Sequence, residues 1–375
     1  MKQLFCLLLG CLLLAGCRFS NNAPVASDAA VTPFTIHYAK GFQVLRTADY
    51  TQVSIRNPWD TLKTLHNYIL VDKDKPLPAN LPQGTLVRTP VHRVAVYTSV
   101  HCGVLARLGV KEQIVGVCEP EYIDLDFIRE GLADGSVSNL GMASSPNVEQ
   151  ILEIAPEIIL TSPFENSGYG QVEKTGIPLV ECADYMESTP LGRAEWIRLH
   201  ALFYGKEAYA DSLFEEIVQS YLAVKELAAG VTRRPTVLTD TKYGSVWYVP
   251  GGQSYIAHFF RDAGADLFRK DDPQSGSSPL SVETVFEEAH NADFWLIKYN
   301  RAADFTYETL KKEDSFYGEF DAFKNRHIFV CNTSDASYYE ELPIHPDYLL
   351  KDLVWIFHPE LLPGYEPRYY KKMQE

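Results

Sequence analysis

Positive charge is scarce in this chain. Its 34 Lys and Arg stand against 49 Asp and Glu, the net charge is -15, and no run of Lys or Arg occurs anywhere. A nucleic-acid partner calls for a basic face, so that class is excluded, and the acidic balance reads as a soluble surface. The usual signatures of enzyme chemistry are missing as well. There is no G-x-S-x-G elbow, no H-E-x-x-H, no Walker A phosphate loop and no G-x-G-x-x-G fingerprint, which reads against an enzyme. Carboxylates such as Asp240 and Glu119 carry little weight as an acid and base, because any acidic chain offers such pairs. No C-x-x-C spacing occurs, so a zinc site is unsupported. No cofactor is expected.

The N-terminal apolar run, Leu4 to Leu14, is too short to span a bilayer as a helix. Lys2 precedes it and Leu14-Ala15-Gly16-Cys17 closes it, small residues at a cleavage site. The stretch resembles a bacterial lipoprotein signal, whose lipobox places cleavage before the cysteine that receives the lipid. The resemblance implies lipidation at Cys17 and a chain exported to the cell envelope, facing the periplasm and held at a membrane by its anchor. Residues 18–32 are polar, Ala-rich and without periodicity, a flexible tether. Cys6 and Cys11 leave with the signal, and Cys102, Cys118, Cys182 and Cys331 remain. Cys118 and Cys182 each end an apolar strand-like run, which leaves both a disulfide and two buried thiols open.

At 375 residues and 46% hydrophobic, the chain is long enough for two domains with real cores. Its longest helical pattern is Lys206 to Ala229. Ala210, Leu213, Phe214, Ile217, Tyr221 and Val224 recur near a 3.6 period, between Gly205 and Gly230. About 24 residues at 1.5 Å each make a rod of about 36 Å. On either side, short apolar runs alternate with helical patterns: strands at 94–97, 114–117, 157–160, 178–180, 235–238, 246–249, 294–297 and 327–330, helices at 102–108, 148–154, 254–263, 282–289 and 348–357. That grammar predicts mostly parallel sheets covered on both faces. Residues 33–90 instead read as strands in hairpins or at a sheet edge, such as Phe42–Leu45 and Tyr68–Val71, followed by a proline-rich loop.

Asn147-Val148-Glu149 and its following helix and strand are echoed by Ser281-Val282-Glu283 and theirs, which predicts two related lobes. The fold class is therefore α/β: two Rossmann-like lobes joined by one long rigid helix, with a ligand cleft between them. The lobes are placed at 33–205 and 230–375, and the connecting helix at 206–229. In such sheets ligands sit beyond the carboxyl ends of the strands.

SPNVEQILEIAPEIILTSP at 145–163, the distance from there to the long helix, and VPGGQSYIAHFFRDAGA at 249–265 carry a resemblance. Over roughly residues 91–370 the chain resembles the periplasmic substrate-binding proteins of ABC importers, of the class that delivers ferric siderophores, haem and vitamin B12. The resemblance implies capture of a ligand between the lobes, small lobe motion about the connecting helix, and delivery to an ABC permease and its ATPase by a monomer. It also implies that Glu149 and Glu283, one exposed on each lobe, dock on the permease; each also favours the positive end of its own helix. The ligand set expected at the strand ends is Tyr97, Ser99, His101, Tyr122, Phe164 and Tyr185 from the first lobe and Lys242, Tyr243, Trp247, Lys298, Tyr299 and Arg301 from the second. Rings give area to a bulky ligand, while Lys242, Lys298 and Arg301 answer negative charge. A ferric siderophore is the first reading, a corrinoid such as vitamin B12 the second, haem the third. A bare metal ion is disfavoured because only His101 lies at a strong strand-end position, His258, His290 and His358 sit in or beside helices, and His345 lies in a loop. A non-transport surface lipoprotein has no need of aromatic strand ends.

Overall fold

The structure is a computed structural model and describes residues 32–375. The lipoprotein signal, Cys17 and all but the last residue of the tether lie outside the described residues. No described helix is long and apolar enough to cross a membrane.

The chain first forms a five-stranded sheet in simple order, β1 (Thr32–Pro33), β2 (Phe42–Arg46), β3 (Thr51–Arg56), β4 (Thr64–Asp72) and β5 (Thr85–Thr89). Its pairings are antiparallel except β4 with β5. Two buried carboxylates tie this sheet to the helical segment around residues 187–195. Glu195 accepts main-chain N–H bonds from His37, Tyr38 and Ala39, and Glu187 accepts those of Lys40 and Gly41. The N–H of Glu181 in turn donates to the Tyr68 hydroxyl.

The first lobe is built on β6 (Val94–Val96), β7 (Ile114–Val117), β8 (Ser138–Asn139), β9 (Gly141–Met142), β10 (Ser145–Pro146), β11 (Ile158–Thr161) and β12 (Leu179–Glu181). Its main sheet is parallel throughout, in the order β12-β11-β6-β7-β8, and β9 with β10 forms a small ribbon. β6, β7 and β11 are buried along their whole length, as a sheet covered on both faces requires. Helices α1 (Ser99–Arg107), α2 (Asp126–Asp134) and α3 (Val148–Ile154) connect the strands. α4 (Pro190–Ala194) and α5 (Trp196–Tyr204) then lead through Gly205, at φ +64, into α6 (Glu207–Ala229). α6 buries Ala210, Leu213, Phe214, Ile217, Tyr221, Val224 and Ala228. It packs on α4 and α5 on one side and on α7 (Tyr255–Asp262) and the last helix of the chain on the other.

The second lobe contains β13 (Thr236–Thr239), β14 (Val246–Pro250), β15 (Asp266–Leu267), β16 (Ser277–Ser281), β17 (Phe294–Tyr299), β18 (Ile328–Asn332) and β19 (Lys371–Lys372), with α8 (Val282–Ala289), α9 (Tyr307–Glu313), α10 (Asp321–Lys324), α11 (Tyr338–Glu341) and α12 (Pro346–Phe357). Its sheet runs β15-β13-β17-β18-β19, parallel but for β19. Read from the opposite edge, β18-β17-β13-β15 repeats the order and connectivity of β12-β11-β6-β7, so the two lobes share a topology. The echoed segments hold equivalent places. α3 is capped by the Asn147 side chain and leads into β11, α8 is capped by that of Ser281 and leads into β17, and a short ribbon precedes each helix.

Two expectations are corrected. Residues 246–250 form a strand outside the parallel sheet, paired antiparallel with β16. α1 starts at Ser99, three residues before the expected Cys102, with Thr98 in extended backbone at its N-cap. α2, with Gly131 in its interior, and α5, apolar on nearly every side, escape a search for a 3.6-residue stripe.

The lobes touch where α1 meets α11. A Cβ on Gly103 would lie 2.2 Å from the Glu340 carbonyl oxygen, so only glycine permits this approach. Beside it the Asp124 N–H donates to Glu340 Oε1, and the Ser337 hydroxyl donates to Asp124 Oδ2 at 3.0 Å.

Candidate ligand cavity

A cavity of 580 Å³ opens at the carboxyl ends of the first-lobe strands. Each strand delivers its wall through the residues just past its end: Tyr97 and Thr98 after β6, Glu119 after β7, Thr161, Ser162 and Phe164 at and after β11, and Asp184 and Tyr185 after β12. The β9–β10 ribbon, Tyr169 and Arg193 of α4 complete the lining. All of these residues belong to the first lobe.

The walls are aromatic. Phe164 is 64% exposed and its ring centroid lies 6.0 Å from that of Tyr185, a spacing at which rings attract edge to face. Tyr169 donates to Glu181 at 3.0 Å. The Tyr97 hydroxyl is buried and has no hydrogen-bond partner among the described residues; burial pushes its pKa up, so it remains a donor. Glu119 sits in left-handed backbone at φ +50, where its Oε1 takes the Ala143 N–H at 3.3 Å, a local cost of about 1–3 kcal/mol that sets the carboxylate at the rim.

At the back of the cavity Asp184 is 4% exposed. Arg193 Nε donates to Asp184 Oδ2 at 3.0 Å, and His101 Nε2 lies 3.4 Å from Oδ1. Burial pushes the Asp184 carboxyl up, but the Arg193 guanidinium and His101 outweigh it and hold it well below the usual carboxylate range. Arg193 also lies 5.4 Å from the centre of the Tyr255 ring of the second lobe. His200, fully buried beside His101, is pushed down to about 3 by burial and is neutral.

The structure brings together Tyr97, Phe164 and Tyr185 of the expected set. Ser99 faces Glu340 across the lobe contact, and Tyr122 is 66% exposed away from the cavity. His101 is fully buried behind Asp184, which removes it as a direct ligand contact. Trp247 is likewise removed: it is fully buried and donates from its indole to the Thr239 carbonyl at 2.9 Å. Tyr299 is buried with its hydroxyl taking the Phe305 N–H. Tyr243 protrudes from a turn, 83% exposed. The cations have partners at home: Lys242 with Asp314, Lys298 with Asp240 at 3.7 Å, and Arg301 with Glu313. Arg193 escaped the sequence reading. The signal for it is Thr189-Pro190, a cap and first helical residue closely following a strand end, which sets an arginine one turn in beside Asp184.

Glu149 and Glu283 are both exposed on the first turns of the equivalent helices α3 and α8. Cys102, Cys118, Cys182 and Cys331 are buried free thiols. The hairpin loop between β3 and β4, with Asn57, Trp59 and Asp60, shares a hollow with Phe164, Glu165 and Asn166.

The chain is 27% identical over 380 residues to an uncharacterised lipoprotein of Methanocaldococcus jannaschii, covering 95% of this chain and 89% of that one. A second uncharacterised lipoprotein of the same organism is 27% identical, over 82% of this chain and 80% of its own. Among solved structures, a possible iron-binding periplasmic solute-binding protein of Staphylococcus epidermidis superposes with a TM-score of 0.57 at 18% identity, covering 72% of this chain and 100% of that one. A periplasmic haem-binding protein of Pseudomonas aeruginosa gives 0.57 at 16%, over 76% and 99%. An Fe3+-hydroxamate transport protein of Saccharomonospora viridis gives 0.54 at 20%, over 72% and 94%. These likenesses show the fold. The family model described as periplasmic binding protein matches residues 94–334, a family of substrate-binding proteins that implies an extracytoplasmic place in the cell envelope, a small ligand and an ABC permease as partner. With well over half its length matched, the chain belongs to the periplasmic binding protein family.

Proposed function

We propose that the protein is a lipid-anchored receptor that captures a ferric siderophore in the first-lobe cavity and passes it to an ABC permease. The observation that carries this reading is the cavity wall, with Tyr97, Phe164, Tyr169 and Tyr185 around 580 Å³. A bulky organic shell gains contact area from such rings. The charge pattern refines the ligand. Asp184 and Arg193 cancel, and the second-lobe cations are matched by their own carboxylates, so an anionic complex finds no free positive charge among these groups. A ferric complex in which three hydroxamates neutralise the iron suits the cavity better than a triply charged tris-catecholate.

Tryptophan fluorescence titration of the protein tests this. Quenching by a ferric tris-hydroxamate at submicromolar concentration is expected, with a ferric tris-catecholate at least tenfold weaker, about 1.4 kcal/mol. Phe164→Ala with Tyr185→Ala should weaken binding by at least tenfold. Saturation by cyanocobalamin or haem alone would replace the siderophore with the corrinoid or haem reading. Silence toward the whole panel would remove the cavity as a transport site. Glu149→Ala with Glu283→Ala should leave affinity intact and impair uptake; normal uptake would leave the two glutamates as helix-start residues only.

A further inference from the structure

Behind the cavity, three groups from three elements converge in the first-lobe interior: His101 on α1, Cys182 just after β12, and His200 on α5. One ring nitrogen from each histidine and Cys182 Sγ lie within 4.8 Å of one another, and all three residues are buried. The rings are 5.4 Å apart between centroids. Nδ1 of His101 and Nδ1 of His200 are both buried without a hydrogen-bond partner among the described residues. Two orphaned imidazole nitrogens in one place need an explanation, since buried polar atoms are nearly always paired. Cys182 Sγ has only a long contact of 3.9 Å to the Val180 carbonyl. We propose that His101, Cys182 and His200 bind a single copper(I) ion, in the first lobe behind the Asp184–Arg193 pair.

Geometry allows it. Metal–nitrogen and metal–sulphur bonds of about 2.0–2.3 Å are reached from this spacing with side-chain shifts of about an ångström. Asp184 Oδ1 faces His101 Nε2, so the carboxylate fixes the ring with that N–H donated and leaves Nδ1 as the bare lone pair, the arrangement that outer partners of metal-binding histidines adopt. Arg193 pairs with the other carboxylate oxygen at 3.0 Å, so the carboxylate has its own counter-charge.

Charge selects the ion. The ligand set offers one thiolate and two neutral imidazoles, and Asp184 with Arg193 adds nothing net. A monovalent cation makes the whole cluster neutral; zinc or copper(II) leaves one net positive charge in a place closed to water, which is unfavourable. Thiolate is a soft ligand and favours copper(I). On binding, the Cys182 S–H bond breaks, an S–Cu bond forms, and one proton leaves to solvent for each ion taken up.

The test uses the full chain with Cys6, Cys11 and Cys17 replaced by serine, titrated anaerobically with copper(I) against bicinchoninate. One equivalent bound and one proton released per ion are expected, with Cys182→Ser and His200→Gln each weakening binding at least 100-fold. If either variant fails to fold, X-ray absorption at the copper edge of the parent protein decides, with two nitrogens and one sulphur expected. No uptake at one equivalent, a sulphur-only sphere, unchanged affinity in a folded His200→Gln protein, or a preference for zinc would overturn the assignment.

Discussion

The two lobes share strand order, connectivity and even the capped helix ahead of the third strand, yet they treat their strand ends in opposite ways. In the first lobe the residues past β6, β7, β11 and β12 surround a cavity. In the second, Trp247 donates to the Thr239 carbonyl and Trp295 to the Asp240 carbonyl at the end of β13. Both indoles pack with Tyr317 and Phe320 at centroid distances of 5.2–5.9 Å. The lesson is that the repeated fold supplies the place for a site and side-chain volume decides whether the place is open. One lobe turns its aromatics to a cavity, the other to its own core.

The sharpest way to break this comparison is Trp295→Ala. Removing a fully buried indole should cost about 3–5 kcal/mol, read by urea unfolding, while ligand affinity in the first lobe changes less than twofold. A small stability loss would mean that the second-lobe cluster is no more a core than the cavity wall is.

Where the lobes meet, Gly103→Ala drives a methyl into the Glu340 backbone. A destabilisation of about 3 kcal/mol is expected, the upper end for overpacking because the obstacle is main chain, with a measurable increase in radius of gyration by small-angle scattering. A compact, fully stable variant would show that the α1–α11 contact is incidental.

The first lobe should also be the acid-sensitive one. His200 has a folded pKa of about 3 against about 6.5 in an unfolded chain. Between those values the unfolded state holds a proton that the folded state lacks, so stability is full above pH 6.5 and falls as pH drops towards 3. From pH 7 to pH 5 the loss should be about 2 kcal/mol, and His200→Gln should flatten that segment of the profile. An unchanged slope would place the acid sensitivity elsewhere.

The smallest effect is expected from Lys298→Ala with Arg301→Ala. Each cation already faces its own carboxylate, Asp240 or Glu313, and is partly exposed, so the pairs are worth about 0.2–1 kcal/mol at most. Ligand affinity measured by fluorescence should change less than twofold; a tenfold loss would return these cations to the ligand and with them an anionic complex.

Much of this was legible in the residues. The apolar stripe from Ala210 to Val224 became the buried face of α6, because a helix facing two neighbours has to repeat at its own period. Asn147 and Ser281 became caps, and the echo that they open became two lobes of one topology, because local chemistry and strand length were enough to specify each element. Cavity residues Tyr97, Phe164 and Tyr185 followed from a single rule about strand ends. The same rule named Trp247 and Lys298, which do not line the cavity, since a residue's number along a strand says which end it occupies and not whether a neighbour has already taken its side chain.

Sequence alone therefore determined the α/β class, the connecting helix, the duplicated lobe and the first-lobe strand ends that line the cavity, all of which rest on periodicity and local preference. Tertiary structure alone decided which first-lobe residues line the cavity, that the cations of the other lobe are paired with Asp314, Asp240 and Glu313, and that His101, Cys182 and His200, from three separated elements, are buried together. Those outcomes depend on which side chains meet across the core, and contacts between residues 83 or more positions apart, such as His101 with Asp184, leave no trace in local spacing.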